Sequence, residues 1–223
     1  MECSSVRTSP LSPSFAQLKP HSDILEKQSL VLVCGQWYKP SSCVWNCTVN
    51  LSGRVTIDSS YPNLQTFFVG HLRVKMANLN MLIQELIALA RQDVKNAGEF
   101  KSIMVAAGAM LGQEQNLEAL EPSLHNLKKY KFLPVRNSTG AQCFEKTSAS
   151  FFINDHERYG TAFQGKLNFL DFSYDELTSL HPQFQSLKLE NRYLSGHIET
   201  DTTVGQGRRE RPPFEAVSPA ECS

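Results

Sequence analysis

The chain has 223 residues, of which 41% are hydrophobic and 20% charged, a composition that suits a globular core and excludes a chain disordered throughout. Lys plus Arg and Asp plus Glu both number 22, so the formal net charge is zero and gives no electrostatic footprint for nucleic acid or an anionic membrane. No apolar run approaches the roughly 20 residues of a membrane-spanning helix, and the N-terminus lacks the apolar core of a secretory signal, so we expect an intracellular protein, cytoplasmic or nuclear.

Both ends of the chain are predicted to be disordered. Residues 1–28 are rich in Ser and Pro, and residues 200–223 combine Gly, Pro and charge, so neither segment can bury a core. Between them we predict one α+β module over residues 29–199, in which two small strand-rich units flank a helical middle region. Its three parts are a β unit plus helix at 29–75, helices at 76–131, and a second β unit plus helix at 132–199.

The first unit begins with SLVLVC at residues 29–34, which is short, apolar and rich in β-branched residues and so predicts a buried strand. Residues 35–57 contain aromatics, Val and Thr that suit further short strands, with Pro and Gly at the turns. From Tyr61 the period becomes helical, with Pro62 at a plausible first helical position. One helical face would carry Leu64, Phe67, Phe68 and Leu72.

The middle region shows apolar residues at spacings of three and four, which predict helices. The first is expected over residues 77–96, with Val94 on its apolar face and Gly98 ending it. The second is expected over residues 99–111. Leucines at 117, 120, 124 and 127 mark a third, which Pro122 must kink or restart.

The second unit is predicted to return to strands. Residues 132–154 contain two short apolar runs around a Ser-Thr-Gly turn, and residues 166–172 (KLNFLDF) alternate as a strand does. Ser173 and Glu176 form a capping-box pattern that opens a helix over residues 174–180. Pro182 is expected to begin a separate short turn.

Three residue types common in catalysis lie side by side in FFINDHERYG, residues 151–160. Asp155, His156 and Glu157 are adjacent, however, and neighbouring side chains point in different directions and converge poorly on one metal ion. We therefore predict a polar loop after a strand, in which Asn154 and Asp155 bond to their own backbone. The alternative is a hydrolase-type site in which His156 is the general base and acts with Asp155 or Glu157.

Six cysteines are scattered along the chain, as is typical of free thiols in an intracellular protein. Cys43 and Cys47 form one close pair, but zinc needs about four ligands and no second pair accompanies them, so we predict no metal site. Cys143 is predicted to be a structural thiol, because an activated thiolate needs a nearby cation or helix N-terminus. Nucleotide-binding motifs do not occur, and no cofactor is predicted.

Three stretches carry a resemblance to known proteins: YPNLQTFFVGHLRVK (61–75), MVAAGAMLGQ to LEALEPSLHNLKKYKFLPV (104–135), and FFINDHERYGTAFQGKLNFLDFSYDELTSLHPQFQSLKLENRYLS (151–195). Over roughly residues 30–200 the chain resembles a segment of very large, uncharacterised fungal proteins related to the sacsin and NO VEIN families. The resemblance implies a scaffold-like module that follows an ATP-binding domain of the gyrase and heat-shock chaperone (GHKL) type. The D-x-G-x-G motif of that ATPase is absent here, so nucleotide binding is not implied for any residue of this chain.

These observations favour a non-catalytic interaction or scaffold module of a sacsin/NO VEIN-like protein. Its expected partners are other proteins or other modules of a larger protein, and neither nucleic acid nor membrane is expected. The alternative is the hydrolase-type enzyme centred on His156. A third hypothesis is a nonfunctional gene fragment, which would not give soluble protein with a cooperative unfolding transition.

Overall fold

The computed structural model describes residues 28–113 and 118–198, and these form an α+β fold in which small sheets on the N-terminal and C-terminal sides flank helices, as the sequence predicts. The predicted disordered arm at 1–28, apart from Gln28, and the tail at 200–223 lie outside the described residues, as does Leu117. None of the described helices is long and apolar enough to cross a bilayer.

The N-terminal side contains five short strands; four lie within residues 29–57, where the sequence predicts strands, and the fifth lies at the end of a stretch predicted to be helical. The β1 strand (Val31–Val33) and β2 strand (Gln36–Tyr38) form an antiparallel hairpin. Its two-residue turn has positive φ angles at both positions, 48° at Cys34 and 80° at Gly35, as the tight turns of β-hairpins require. A parallel sheet follows, in the order β4-β3-β5, from β3 (Cys43–Trp45), β4 (Val55–Thr56) and β5 (Lys75–Met76).

The central strand β3 is buried along its whole length and contributes to two apolar clusters. Cys43 and Trp45 belong to a small cluster built within the N-terminal side, whereas Val44 belongs to the main cluster with the helices. Because successive side chains of a strand point to opposite faces, this one strand connects the two cores.

The helix predicted from Pro62 is wrong in type and in position. A π-helical segment runs over Thr66–His71, and the N–H of Leu72 bonds to the carbonyl of Phe67, five residues earlier. Of the four residues predicted to share a face, Phe68 and Leu72 are buried, but Leu64 and Phe67 are 46% and 47% exposed. The turn of a π-helix is wider than that of an α-helix, so the α-helical spacing from which we predicted a shared face does not apply here.

The middle region contains the predicted helices with one corrected boundary. Gly98 does not end the first helix but lies in the first turn of the second, where its N–H donates to the side chain of Asn96, the N-cap, at 2.9 Å. Val94 is therefore in the connection and is 86% exposed. Pro122 is in the first turn of the third helix, where its missing N–H is not needed. The helices are α1 (Leu79–Ala90), α2 (Ala97–Leu111) and α3 (Glu121–Leu127).

The C-terminal side is an antiparallel sheet with two helices. The predicted hairpin forms from β6 (Leu133–Arg136) and β7 (Gln142–Glu145), and β8 (Phe169–Leu170) completes the order β7-β6-β8. Helix α4 (Glu157–Phe163) occupies part of the stretch predicted as a polar loop. Helix α5 (Tyr174–Leu187) opens with the predicted capping box, in which both reciprocal hydrogen bonds are present.

The separate turn predicted at Pro182 is also wrong, because α5 continues through the proline to Leu187. An interior proline costs about 3 kcal/mol, so the tertiary packing of the helix must outweigh it. Leu180, Phe184 and Leu187 are buried in the main cluster on this helix. Gly108 of α2 lies directly against the backbone of α5, where a Cβ atom would be 2.5 Å from the Ser179 carbonyl oxygen, and this lets the two helices approach closely.

The main apolar cluster extends from Val44 to Leu189 and so includes residues of all three predicted parts of the module. The predicted divisions at 75/76 and 131/132 stay predictions. A polar hub supports the packing of α2 on the C-terminal sheet, since Asp171 accepts from Lys101 at 3.1 Å, from Arg136 at 3.0 Å and from Gln142.

Candidate functional site

In space, the segment 151–160 is flanked by β8 on one side and by the residues around Tyr193 on the other. Phe151 and Ile153 are buried, but the strand predicted before the polar residues is reduced to isolated bridges. Phe152 forms an isolated bridge to Phe169, and Ile153 forms another to Tyr193. The segment is therefore held on both sides, and the polar residues that follow are placed beside the segment around Tyr193.

Asp155 is bound to Ser195, forty residues further along the chain. One carboxylate oxygen accepts the backbone N–H of Ser195 at 3.0 Å, and the other accepts the Ser195 hydroxyl. Asn154 donates its side-chain amide to the hydroxyl of Tyr174 at 3.0 Å. The predicted bonds of Asn154 and Asp155 to their own backbone are thus wrong, because both side chains find partners that are distant in sequence.

His156 and Glu157 do not join Asp155 in one site. The His156 ring contacts the ring of Tyr159, with 4.7 Å between centroids, and His156 is exposed at the N-cap of α4. Glu157 is the first residue of that helix and is also exposed. No hydrogen bond or ion pair within residues 28–113 and 118–198 joins His156 to either acid.

A groove of about 690 Å³ opens between α5 and the segment that follows it. Asp155 and Ser195 form one wall, and the opposite wall is the outer surface of α5. Both apolar and polar side chains line the groove, and two of them are tyrosines that combine an aromatic face with a hydroxyl. The lining residues are Asp155, Tyr174, Leu177, Thr178, His181, Tyr193, Ser195 and Gly196.

His181 is fixed in this groove by two hydrogen bonds. Gln185 donates its amide to Nε2 of His181 at 3.2 Å. Because an amide nitrogen only donates, Nε2 accepts, and the ring proton is on Nδ1. Nδ1–H then donates to the hydroxyl oxygen of Tyr193 at 2.8 Å, which leaves the hydroxyl proton of Tyr193 free for another acceptor.

Two acidic residues act on Tyr193, which is part of the groove lining. Burial raises the pKa of Tyr193 above its ordinary value of 10.0, and the nearby charges of Asp155 and Glu190 raise it further. The phenol is therefore a hydrogen-bond donor at neutral pH. Lys and Arg are absent from the lining, and no described Lys or Arg forms an ion pair with Asp155.

Ser195, His181 and Asp155 are the residue types of a catalytic triad, but their connections differ from one. In a triad the histidine bonds to the serine on one side and to the acid on the other. Here Ser195 donates directly to Asp155, and His181 is bonded to Tyr193 and Gln185 instead. This arrangement fixes the polar groups on the groove walls, and no described histidine accepts from the Ser195 hydroxyl.

Three of the four described cysteines, Cys43, Cys47 and Cys143, donate their thiol hydrogens to backbone carbonyls. Burial raises the pKa of the Cys43 thiol to about 11, and Cys43 donates to the carbonyl of Lys39. The pKa of Cys143 is also raised, first by burial and then by Glu145. Cys47 donates to the carbonyl of Val49 at 3.2 Å. Within residues 28–113 and 118–198, no three His, Cys, Asp or Glu side chains are placed to hold a metal ion.

Sequence reasoning found Asp155 but missed the other groove residues. Tyr174 and Ser195 come from segments 20 and 40 residues away from their partners in the chain, and no local pattern joins them. One signal was available, since His181 and Gln185 are four residues apart and so share a helical face. Because we predicted that the helix ends before Pro182, His181 and Gln185 were not placed on one helical face.

Residues 80–198 match the model of a family described as a domain of unknown function, DUF8348, and the chain belongs to this family. No curated protein and no solved structure matches the chain. The match begins within α1 and contains every residue that lines the groove, whereas the five strands β1 to β5 precede it. It does not test the resemblance to sacsin and NO VEIN proteins, which stays a prediction.

Proposed function

We propose that this protein is a non-catalytic interaction module that binds a peptide segment of a protein partner in the groove beside α5. The observation that carries the proposal is the lining itself. Its polar groups are fixed in pairs, Asp155 with Ser195 and His181 with Tyr193, while the aromatic and apolar surfaces between them stay open. Concave surfaces of this composition are typical of binding sites.

Two features favour binding over hydrolysis. Ser195 donates to a carboxylate rather than to His181, so its hydroxyl is not activated by an imidazole. His156, the centre of the alternative hydrolase-type site, contacts Tyr159 and is exposed on a different element. The enzyme hypothesis stays a prediction, and it requires that His156 support turnover.

The setting that we propose for the module is the one implied by the sequence resemblance. It would be an intracellular scaffold unit of a large sacsin/NO VEIN-like protein, with other modules or proteins as partners. The zero net charge supports this setting, because it offers no general attraction to nucleic acid or to anionic lipid.

A phage-displayed library of random peptides, selected on the full chain, tests the function. Thr178 is exposed and lines the groove, whereas Asp175 on the same helix is exposed and does not. We expect the selected peptides to share a pattern, to lose binding to Thr178→Trp, and to keep binding to the matched control Asp175→Trp. Peptides that bind both variants alike, or no enrichment, would overturn the proposal. Ester hydrolysis that disappears in His156→Ala with an unchanged melting temperature would favour the enzyme.

A further inference from the structure

We propose that the groove takes the positively charged side chain of a Lys or Arg residue in the partner, an inference that rests on the proposed function of the groove. The observations that carry it are the Asp155 carboxylate, which forms no ion pair with a described Lys or Arg, the two tyrosine side chains of the lining, and their hydroxyl protons, which no described group accepts. Together these groups complement a cation that is attached to a peptide backbone.

The carboxylate of Asp155 is the fixed negative charge in the lining. Ser195 supplies one hydrogen to each of its oxygens, and a carboxylate has about four acceptor sites, so acceptor capacity remains. Glu190 lies near enough to Tyr193 to raise its pKa and so adds to the negative potential. A cation entering the groove gains attraction and meets no Lys or Arg in the lining.

The aromatic face of Tyr174 supplies a second attraction for a cation. Tyr174 is 42% exposed although it is a large side chain, and it lines the same groove as Asp155. Ammonium and guanidinium groups bind over such rings through the ring quadrupole. The aliphatic part of a Lys or Arg side chain would at the same time contact Leu177, which is a lining residue of the groove.

The tyrosine hydroxyls fit the peptide that carries the cation. The Tyr174 oxygen accepts from Asn154, and the Tyr193 oxygen accepts from His181, so both hydroxyl protons are free to donate. Backbone carbonyls are the acceptors that flank any side chain in a peptide. A basic residue within a chain thus satisfies the acid, the rings and the hydroxyls together.

Three blocked amino acids separate charge from shape: the N-acetyl, N-methylamide forms of lysine, arginine and norleucine. Norleucine keeps the aliphatic stem of lysine and lacks its charge. In NMR titrations of the ¹⁵N-labelled full chain, we expect both cationic probes to shift the amide signals around the groove. They should bind about threefold to tenfold more tightly than norleucine, as an exposed ion pair and a cation–π contact together allow. Equal affinity of all three would overturn the inference.

Asp155→Asn should weaken binding of the lysine and arginine probes about threefold to fivefold and leave norleucine unchanged. Asp175→Asn is the matched control, since Asp175 is an exposed acid of α5 that does not line the groove. Tyr174→Leu should weaken the cationic probes, whereas Tyr174→Phe keeps the ring and most of the affinity. Equal effects of the two Asp substitutions would contradict a specific contact.

The two proposals fail in different ways. If the selected peptides do not bind Thr178→Trp, contain no Lys or Arg, and bind Asp155→Asn normally, the proposal of a cationic ligand is overturned but the proposed binding function is not. Absence of any peptide sensitive to Thr178→Trp would overturn the function itself.

Discussion

Gly108 of α2 lies directly against the backbone of Ser179 in α5. A Cβ atom at Gly108 would be 2.5 Å from the Ser179 carbonyl oxygen and 3.3 Å from the Cα of Leu180. Since both of these are backbone atoms, neither can rotate away as a flexible side chain would. The two helices therefore owe their close approach to the missing side chain, and α5 is thereby placed where its outer surface forms the wall of the groove.

Gly108→Ala should accordingly destabilise the fold by about 1–3 kcal/mol, the usual range for overpacking a close contact. Gly112→Ala, at the C-cap of the same helix, is the control, because its Cβ would meet the Cγ of Pro182 at an ordinary 3.6 Å. Urea unfolding measures both. A midpoint that falls equally in the two variants would contradict the geometric explanation.

The Asp171 hub predicts a loss of stability in acid. Asp171 is 12% exposed; burial tends to raise its pKa, but hydrogen bonds from Lys101, Arg136 and Gln142 outweigh burial and hold the pKa below the ordinary 3.8. The unfolded chain thus binds this proton more tightly, so the stabilisation is complete above about pH 5 and declines as the pH falls below about 4.

Asp171→Asn should remove this acid dependence and lower the stability at pH 7 by about 2 kcal/mol, since hydrogen bonds to a charged group are lost. Urea unfolding from pH 7 down to pH 3 compares the two chains. Asp175→Asn, a substitution at an exposed acid, serves as the control. Parallel pH curves for wild type and Asp171→Asn would show that the hub does not titrate as we expect.

Gln183 is a polar residue buried in α5, and here we expect a substitution to raise the stability of the fold rather than lower it. It is 1% exposed in α5, and its carbonyl Oε1 has no hydrogen-bond partner. Met has a similar volume and removes the unsatisfied acceptor, so Gln183→Met should stabilise the fold by about 1 kcal/mol. Gln185→Met, which removes the bond to His181 on the same helix, should not stabilise it. A lower melting temperature for Gln183→Met would mean that Oε1 has a role in the fold.

The described cysteines should differ sharply in reactivity. Cys34 is exposed in the tight turn of the first hairpin, whereas Cys43 is buried and its pKa is raised to about 11. Because the thiolate is the reactive form, iodoacetamide at pH 7.5 should modify Cys34 in the folded chain and modify Cys43 only after unfolding. Peptide mapping by mass spectrometry distinguishes the two sites. Early modification of Cys43 would show that the small N-terminal core opens readily.

Local signals in the sequence were sufficient for much of the fold. The capping box of Ser173 and Glu176 and the apolar face of α2 depend on residues within a few positions of one another, and both are confirmed. The continuation of α5 through Pro182 was not predicted, because it accompanies tertiary packing such as the contact of Gly108 with Ser179, which no local pattern shows. The site follows the same division: Asp155 was singled out by residue type, but its bond to Ser195 is a consequence of the finished fold.

Because side chains of β3 alternate between the two apolar clusters, the residues matched by the family model and the residues that form the buried core are not the same set. The family match begins at residue 80, yet Val44 and Leu51 are members of the same buried cluster as the matched helices. A protein fragment that began at residue 80 would lack these two side chains, and its helices would have a cavity or an exposed apolar surface in their place. The region matched by the family model is therefore smaller than the region that forms the buried core. A shortened chain for expression should begin before β1.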